Sequence, residues 1–124
     1  MKVIYIAGKY RDKRGEFYVQ MNIREAEQAA LFVWVNGGVA LCPHKNTSGL
    51  GGAFLIDDQT WLAGDLELLS RCDAVWAIPN WVASAGAHDE IAFAKKNNIP
   101  ILFNQKEVLE YLGVINEKSN HDRQ

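Results

Sequence analysis

The sequence predicts one α/β domain, a doubly wound parallel sheet of about four to five strands with helices on both faces. Three observations lead there. Val3-Ile4-Tyr5-Ile6-Ala7 and Asp73-Ala74-Val75-Trp76-Ala77-Ile78 are short apolar runs without the polar alternation of a half-exposed strand, as expected for strands buried on both faces. Segments with helical periodicity separate such runs, and alternating strand and helix is the pattern of a parallel sheet. Finally, Arg71 to Ala94 reads as strand, small-residue turn and helix start in one unbroken unit. Right-handed crossovers make 2-1-3-4 the economical strand order, with the topological switch point between strands one and three. The loops after Ala7 and after Ile78 are therefore expected to face one pocket.

Taken in order, the first strand ends at Gly8 and opens a polar loop, Lys9 to Glu16. A first helix is predicted from Tyr18 to Asn36, with Ile23, Ala26, Ala30 and Val33 or Trp34 on its apolar side, stopped by Asn36-Gly37-Gly38. Val39 to Cys42 is the second strand, closed by Pro43-His44. The stretch Lys45 to Ile56, with its Gly-Leu-Gly-Gly cluster, reads as a mobile flap rather than a dinucleotide fingerprint, since it neither follows a strand nor opens a helix in register. Asp57 or Asp58 caps a second helix that runs to about Ser70. The third strand, terminated by Pro79-Asn80, leads through Ser84-Ala85-Gly86 into a third helix, Ala87 to Asn97. Pro100 to Phe103 is the fourth strand and Lys106 to Leu112 the last helix. Residues 1–115 form the domain, and 116–124 a polar tail that frays. This is a flavodoxin- or Rossmann-like arrangement.

Bulk properties narrow the function. The chain has 124 residues, 48% of them hydrophobic, enough to bury one core. A net charge of −2 argues against binding a nucleic acid polymer, which calls for a basic excess. Cys42 and Cys72 are too few for a disulfide framework and are expected to be reduced thiols. No apolar run approaches the roughly 20 residues of a membrane span, and the N-terminus lacks a signal-peptide pattern. A soluble, cytoplasmic protein without membrane contact is expected.

Two carboxylates stand out on geometry alone. Ala87, Ile91 and Ala94 form the apolar stripe of the third helix, and Glu90 lies only about 60° from its centre at 3.6 residues per turn. Asp89 points towards solvent. Asp65 stands to Leu62, Leu66 and Leu69 as Glu90 stands to its own stripe. Two acids on helices flanking one central strand can converge on one pocket, and such a pair suits chemistry at an anomeric carbon. The plainer reading of each is a cap or an ion-pair partner. In the first loop Gly8 permits close backbone approach, and Arg11, beside Lys9 and Tyr10, has the fork geometry to grip a phosphate; an ordinary solvated charge run is the alternative. Ser84 and Gly86, at a helix N-terminus, can cap the helix and bind the same anion. His44 is read as a pocket donor or a satisfied loop histidine. With Cys42 it makes too few ligands for a metal site, so neither metal nor other cofactor is expected. Trp61, Trp76, Trp81 and Tyr10 are core candidates, His88 is a packing residue, and Trp81 is the one aromatic chosen to stack on a base.

These residues carry a resemblance. Ile4-Tyr5-Ile6-Ala7-Gly8 with Arg11, Cys42-Pro43-His44, Asp65, Cys72-Asp73, and Ser84-Ala85-Gly86 followed by Glu90 resemble the nucleoside 2-deoxyribosyltransferase superfamily, which includes the 2'-deoxynucleoside 5'-phosphate N-hydrolases. Within it the chain looks like a bacterial and phage branch of DUF4406 type. The resemblance runs from Val3 to about Leu102. It implies that Glu90 is the nucleophile at C1' of the sugar, that Asp65 handles protons or orients the nucleophile, and that Tyr5 lies beside both. It further implies a 5'-phosphate held by Gly8, Arg11, Ser84 and Gly86, and homodimers or homotetramers in which a neighbour closes the site. Lys9, Tyr10 and the Asn80-Trp81-Val82-Ala83 segment depart from the pattern. The expected activity is N-glycosidic cleavage of a 2'-deoxynucleoside 5'-monophosphate or related nucleoside, by hydrolysis or deoxyribosyl transfer. A non-catalytic nucleotide-binding module is the alternative.

Overall fold

Apolar side chains alternate along the first strand, and that alternation sorts the molecule into two layers. The computed structural model describes residues 1–46 and 56–116. Strand β1 (Val3–Ala7) is followed by α1 (Glu16–Val35), β2 (Val39–Leu41) and the short α2 (Pro43–Asn46). Then come α3 (Asp58–Ser70), β3 (Ala74–Ala77), a 3-10 turn (Pro79–Ala83), α4 (Ala85–Lys96), β4 (Ile101–Leu102) and α5 (Gln105–Tyr111). The sheet has four strands in the predicted order, β2-β1-β3-β4, all parallel. Ile4 and Ile6 face one side, where Ala26, Ala29 and Val33 of α1 and Val108 of α5 close a core around Trp76. Tyr5 and Ala7 face the other, against Leu69 of α3 and Ile91 and Ala94 of α4. This period of two places the Tyr5 side chain on the α3/α4 face, the face that carries both predicted acids.

Local signals account for most boundaries. Asp57 accepts from the backbone of Thr60 (2.8 Å) and caps α3, Ser84 accepts from Ala87 (3.1 Å) and caps α4, and Asn104 accepts from Glu107 (2.8 Å) and caps α5. Because Ser84 is the cap, α4 begins at Ala85, two residues before the predicted start. Helix α1 likewise starts early, at Glu16, after Gly15 takes up φ 124°. In α1 Ile23, Ala26 and Val33 are buried as expected, but Ala29 is buried in place of Ala30, which is half-buried, and Trp34 is 54% exposed.

Two short elements replace predicted loops. Pro43, read as a strand stop, opens α2, where its missing N–H costs nothing in the first turn. Cys42, expected to end the second strand, therefore lies beyond β2, and His44 lies in a helix. Pro79 likewise starts the 3-10 turn. Most of the expected flap, residues 47–55, and residues 117–124 of the expected tail lie outside the described residues. Among the described residues no helix is long and apolar enough to cross a membrane.

Candidate active site

The carboxyl ends of β1 and β3 open into a cleft of about 970 Å³, at the switch point where the topology expects one. Gly8 to Lys13 wall one side, the segment from Ala83 to Glu90 another, and Trp61, Leu62 and Asp65 of α3 a third. Side chains hold the strand-end loops in place. Asn80 Oδ1 accepts from Lys9 N (2.8 Å), and Asn80 Nδ2 donates to Glu25 (2.7 Å), so one side chain ties β3 to β1 and α1. His44 Nε2 lies 2.9 Å from the Lys9 carbonyl, and Asn22 Nδ2 donates to the Tyr10 carbonyl at 3.2 Å. Gly8 is required by packing: a Cβ there would sit 2.6 Å from Ile78 and 2.7 Å from Asn80 Oδ1. The expected close approach is thus made by a neighbouring strand end.

Both acids line this cleft. Glu90 is 7% exposed, held by the Ala87, Ile91 and Ala94 stripe as the helical wheel requires, and Asp65 is half-buried on the facing helix. Burial pushes the Glu90 carboxyl up to about 8; a hydrogen-bonding contribution from Tyr5 pulls it back, while the negative charges of Asp65 and Asp89 push further up. Burial alone pushes Asp65 up to about 6. Tyr5 lies beneath the cleft, fully buried, its phenol driven well above its ordinary range by burial and then by the charges of Glu90 and Asp65. Its hydroxyl is near enough to influence Glu90, yet neither Tyr5 Oη nor Glu90 Oε2 completes a well-formed hydrogen bond among the described residues. Two carboxyls with perturbed environments therefore meet at one opening, with the buried Tyr5 close enough to feel both charges, an arrangement typical of reactive sites.

The loop cations are arranged differently from expectation. Arg11 lines the cleft, but its guanidinium is ion-paired with Asp58 at the start of α3. In the sequence Lys9 stands beside Arg11 among the candidate binding residues, and Asp12 has no role beyond the loop's charge run. Asp12 has a side chain just 3% exposed, bonded by Arg14 Nε (2.9 Å) and Nη2 (2.7 Å) and paired with Lys9 (3.4 Å). Hydrogen bonds from Arg14 hold the Asp12 carboxyl far below the usual carboxylate range. Arg14 also covers the Tyr18 ring at 3.8 Å, so the loop is braced onto α1. Ser84 and Gly86 line the cleft at the N-terminus of α4, and only Ser84 Oγ, at 3.9 Å, would meet a Cβ at Gly86.

The aromatic assignments divide, with Trp76 buried in the core as expected. Trp81 is not brought to the cleft: the 3-10 turn directs it against His88 (4.6 Å between ring centroids) and Phe103 (6.2 Å). His88 thereby packs as expected, with Nε2 at 2.8 Å from the Val82 carbonyl. Trp61, read as core, lines the cleft instead; Tyr10, a core candidate that is also placed with Lys9 and Arg11 in the binding loop, lines it too, set edge-on to His44 at 5.5 Å. His44 is buried, and burial lowers its pKa, so it is neutral. Because a carbonyl only accepts, Nε2 of the neutral ring donates to Lys9, as in the loop-histidine alternative, and Nδ1 is left as an acceptor without a hydrogen-bond partner among the described residues. Asp89, expected to face away, is exposed at the rim of the same cleft. Among the described residues no group of three or more His, Cys, Asp or Glu side chains gathers as metal ligands.

Residues 2–104 match the family model described as Domain of unknown function (DUF7768); that match lends no support to the DUF4406-type branch. A search of curated proteins finds no match. Among solved structures, the fold is similar to that of the 2-deoxyribosyltransferase from the psychrotolerant bacterium Bacillus psychrosaccharolyticus, with a TM-score of 0.58 and 16% identity over 80% of this chain and 69% of that one. It is similar also to the 2-desoxiribosyltransferase from Leishmania mexicana, with a TM-score of 0.59 and 18% identity over 83% of this chain and 63% of that one. The chain thus spans roughly two thirds of either neighbour, 69% and 63%, and at such identities the likeness is one of fold.

Proposed function

The chain belongs to the DUF7768 family, and from that premise we propose that it cleaves the N-glycosidic bond of a 2'-deoxynucleoside 5'-monophosphate or a related nucleoside. The observation that carries this is the meeting of a buried Glu90 and a half-buried Asp65 at one cleft, with the buried Tyr5 phenol within the field of both charges. The transferase activity of the two structural neighbours supports it at the level of fold.

In the proposed reaction the Glu90 carboxylate attacks C1', forming a C–O bond as the C1'–N bond breaks, and the base leaves with the bonding pair. Asp65, pushed up to about 6, is protonated often enough near neutral pH to give that nitrogen its proton. Its carboxylate then takes a proton from water, which attacks C1', and Glu90 is released. If a second base attacks instead, the same site performs deoxyribosyl transfer. Burial gives the first step a driving force: ionised Glu90 is disfavoured in its apolar surroundings, and the ester removes that charge. The Tyr5 hydroxyl steadies the carboxylate before attack. The α4 N-terminus, with Ser84 and Gly86, and the Lys9 ammonium form the anion end of the cleft and would take the 5'-phosphate. Arg11 would join them on leaving Asp58.

The test is incubation with a panel of deoxynucleoside monophosphates and nucleosides, with and without an acceptor base, followed by chromatography of free base. Release that disappears in Glu90→Gln is the expected result. Binding without turnover on every substrate identifies the non-catalytic module instead, and undiminished release by Glu90→Gln refutes the nucleophile.

A further inference from the structure

Lys9 stands just past the end of β1, and its neighbours fix it at both backbone groups and at the side chain. Its N–H donates to Asn80 Oδ1 (2.8 Å), its carbonyl accepts from His44 Nε2 (2.9 Å), and its ammonium pairs with Asp12 Oδ2 (3.4 Å). With the N–H occupied, Lys9 can meet an anion in the cleft only through its side chain. Asp12 is the unusual partner. It lies in a polar loop, where carboxylates are ordinarily solvated, yet its side chain is 3% exposed. Arg14 encloses it: Nε donates to Oδ1 (2.9 Å), Nη2 to Oδ2 (2.7 Å), and the Arg14 backbone N–H to Oδ1 (3.0 Å). The guanidinium is itself seated on the Tyr18 ring of α1 at 3.8 Å. Among the described residues, Asp12 and Lys9 line the cleft and Arg14 does not. Contacts thus run from α1 through Arg14 and Asp12 to an ammonium at the cleft wall.

We propose that Asp12 is a positioning residue for the anion end of the cleft, anchored from outside by Arg14 and holding the Lys9 ammonium where a ligand's phosphate arrives. The inference rests on the phosphate reading given above. Lysine carries a compact charge on a flexible stem, and ordering that stem opposes binding. A fixed carboxylate orders it beforehand, and the ammonium keeps further N–H donors for a phosphate oxygen. The two acids at this end of the cleft thereby differ. Asp58 and Arg11 have side chains 72% and 71% exposed, so a phosphate can take Arg11 from Asp58. Asp12 is bound to Arg14 through both oxygens, so it stays in place while the phosphate joins Lys9. Charge and position predict opposite signs. A carboxylate acting only through its charge repels phosphate, and its removal tightens binding. One that presents Lys9 strengthens binding, and its removal weakens it.

Isothermal titration calorimetry on the full chain tests it. One probe is 2-deoxyribose 5-phosphate, which carries the anion and no scissile bond; the others are 2'-deoxyadenosine and thymidine, which carry no anion. Asp12→Asn should weaken the sugar phosphate roughly tenfold, about the worth of one charge-assisted hydrogen bond, and leave the nucleosides unchanged. In a Lys9→Ala background the same substitution should have no further effect. Arg14→Lys alters no side chain that lines the cleft but removes the fork on Asp12, and it should weaken the sugar phosphate in the same direction. Tighter binding by Asp12→Asn, equal weakening of sugar phosphate and nucleosides, or an undiminished effect in the Lys9→Ala background overturns the assignment. So does a wild-type chain that fails to bind the sugar phosphate. Where Asp12→Asn does not fold, the cycle of Arg14→Lys with Lys9→Ala decides: non-additive losses support the assignment and additive ones overturn it. The expected pattern with no base released from any nucleotide keeps the role of Asp12 and removes the glycosidic reaction alone.

Discussion

Glu90→Gln should stabilise the protein, and increasingly so as pH rises. Glu90 ionises at 4.5 in its ordinary state and is pushed up to about 8 in the fold, chiefly by burial. Below pH 4.5 both the folded and the unfolded chain hold the proton, so the side chain contributes no pH dependence. Between the two values the unfolded chain has released a proton that the folded chain retains, so stability falls as pH rises and levels off above about 8. At 1.36 kcal/mol per pH unit that interval amounts to roughly 5 kcal/mol. Glutamine keeps the shape and has nothing to ionise. Relaxation and water entry reduce the gain, yet even about 2–3 kcal/mol moves the Tm of a domain this size by roughly 10 °C. Melting curves of both proteins at pH 5, 7 and 9 are the assay. The difference in Tm should be small at pH 5 and largest at pH 9. A difference that does not change with pH would show that Glu90 titrates normally, and the argument from its burial would fail.

Further expectations concern its neighbours. Asp89→Asn removes one of the charges pushing Glu90 up, so the rise of kcat/KM with pH, set by ionisation of Glu90, should move to lower pH; an unmoved pH profile would place Asp89 outside its field. Asp58→Asn frees Arg11, and the KM for monophosphates should fall while that for nucleosides does not; Arg11→Ala should do the reverse, and equal effects on both classes would remove Arg11 from phosphate binding. Gly8→Ala forces a methyl group against Ile78 and Asn80 and should cost about 1–3 kcal/mol, read as a lower Tm; an unchanged Tm would mean these side chains yield freely.

What could be read from the sequence was local in cause. Ser84 and Glu90 belong to one helix, where a cap and a stripe at helical spacing fix which way a side chain points. The meeting of the loops after Ala7 and Ile78 follows from strand order and right-handed crossovers. Asn80 was hidden because its two partners, Lys9 and Glu25, lie far away along the chain. Arg11 and Asp58 found each other across a similar distance, so composition could not distinguish a phosphate grip from an ion pair. Trp81 was misplaced because a 3-10 turn stands where a loop was read, and its tighter winding sets the ring against His88. Helix α1 shows the limit of periodicity: with apolar residues on two faces, spacing alone could not decide between Ala29 and Ala30, or that Trp34 would be exposed.

The central claim is that Glu90 becomes bonded to the sugar. Rapid acid quench during turnover of a deoxynucleoside monophosphate, followed by mass spectrometry of intact protein and peptides, tests it most directly. The account predicts a deoxyribosyl phosphate adduct on the peptide containing Glu90, present in the wild type and absent in Glu90→Gln. Base release accompanied by an adduct on another residue, or by continued turnover in Glu90→Gln, would contradict it.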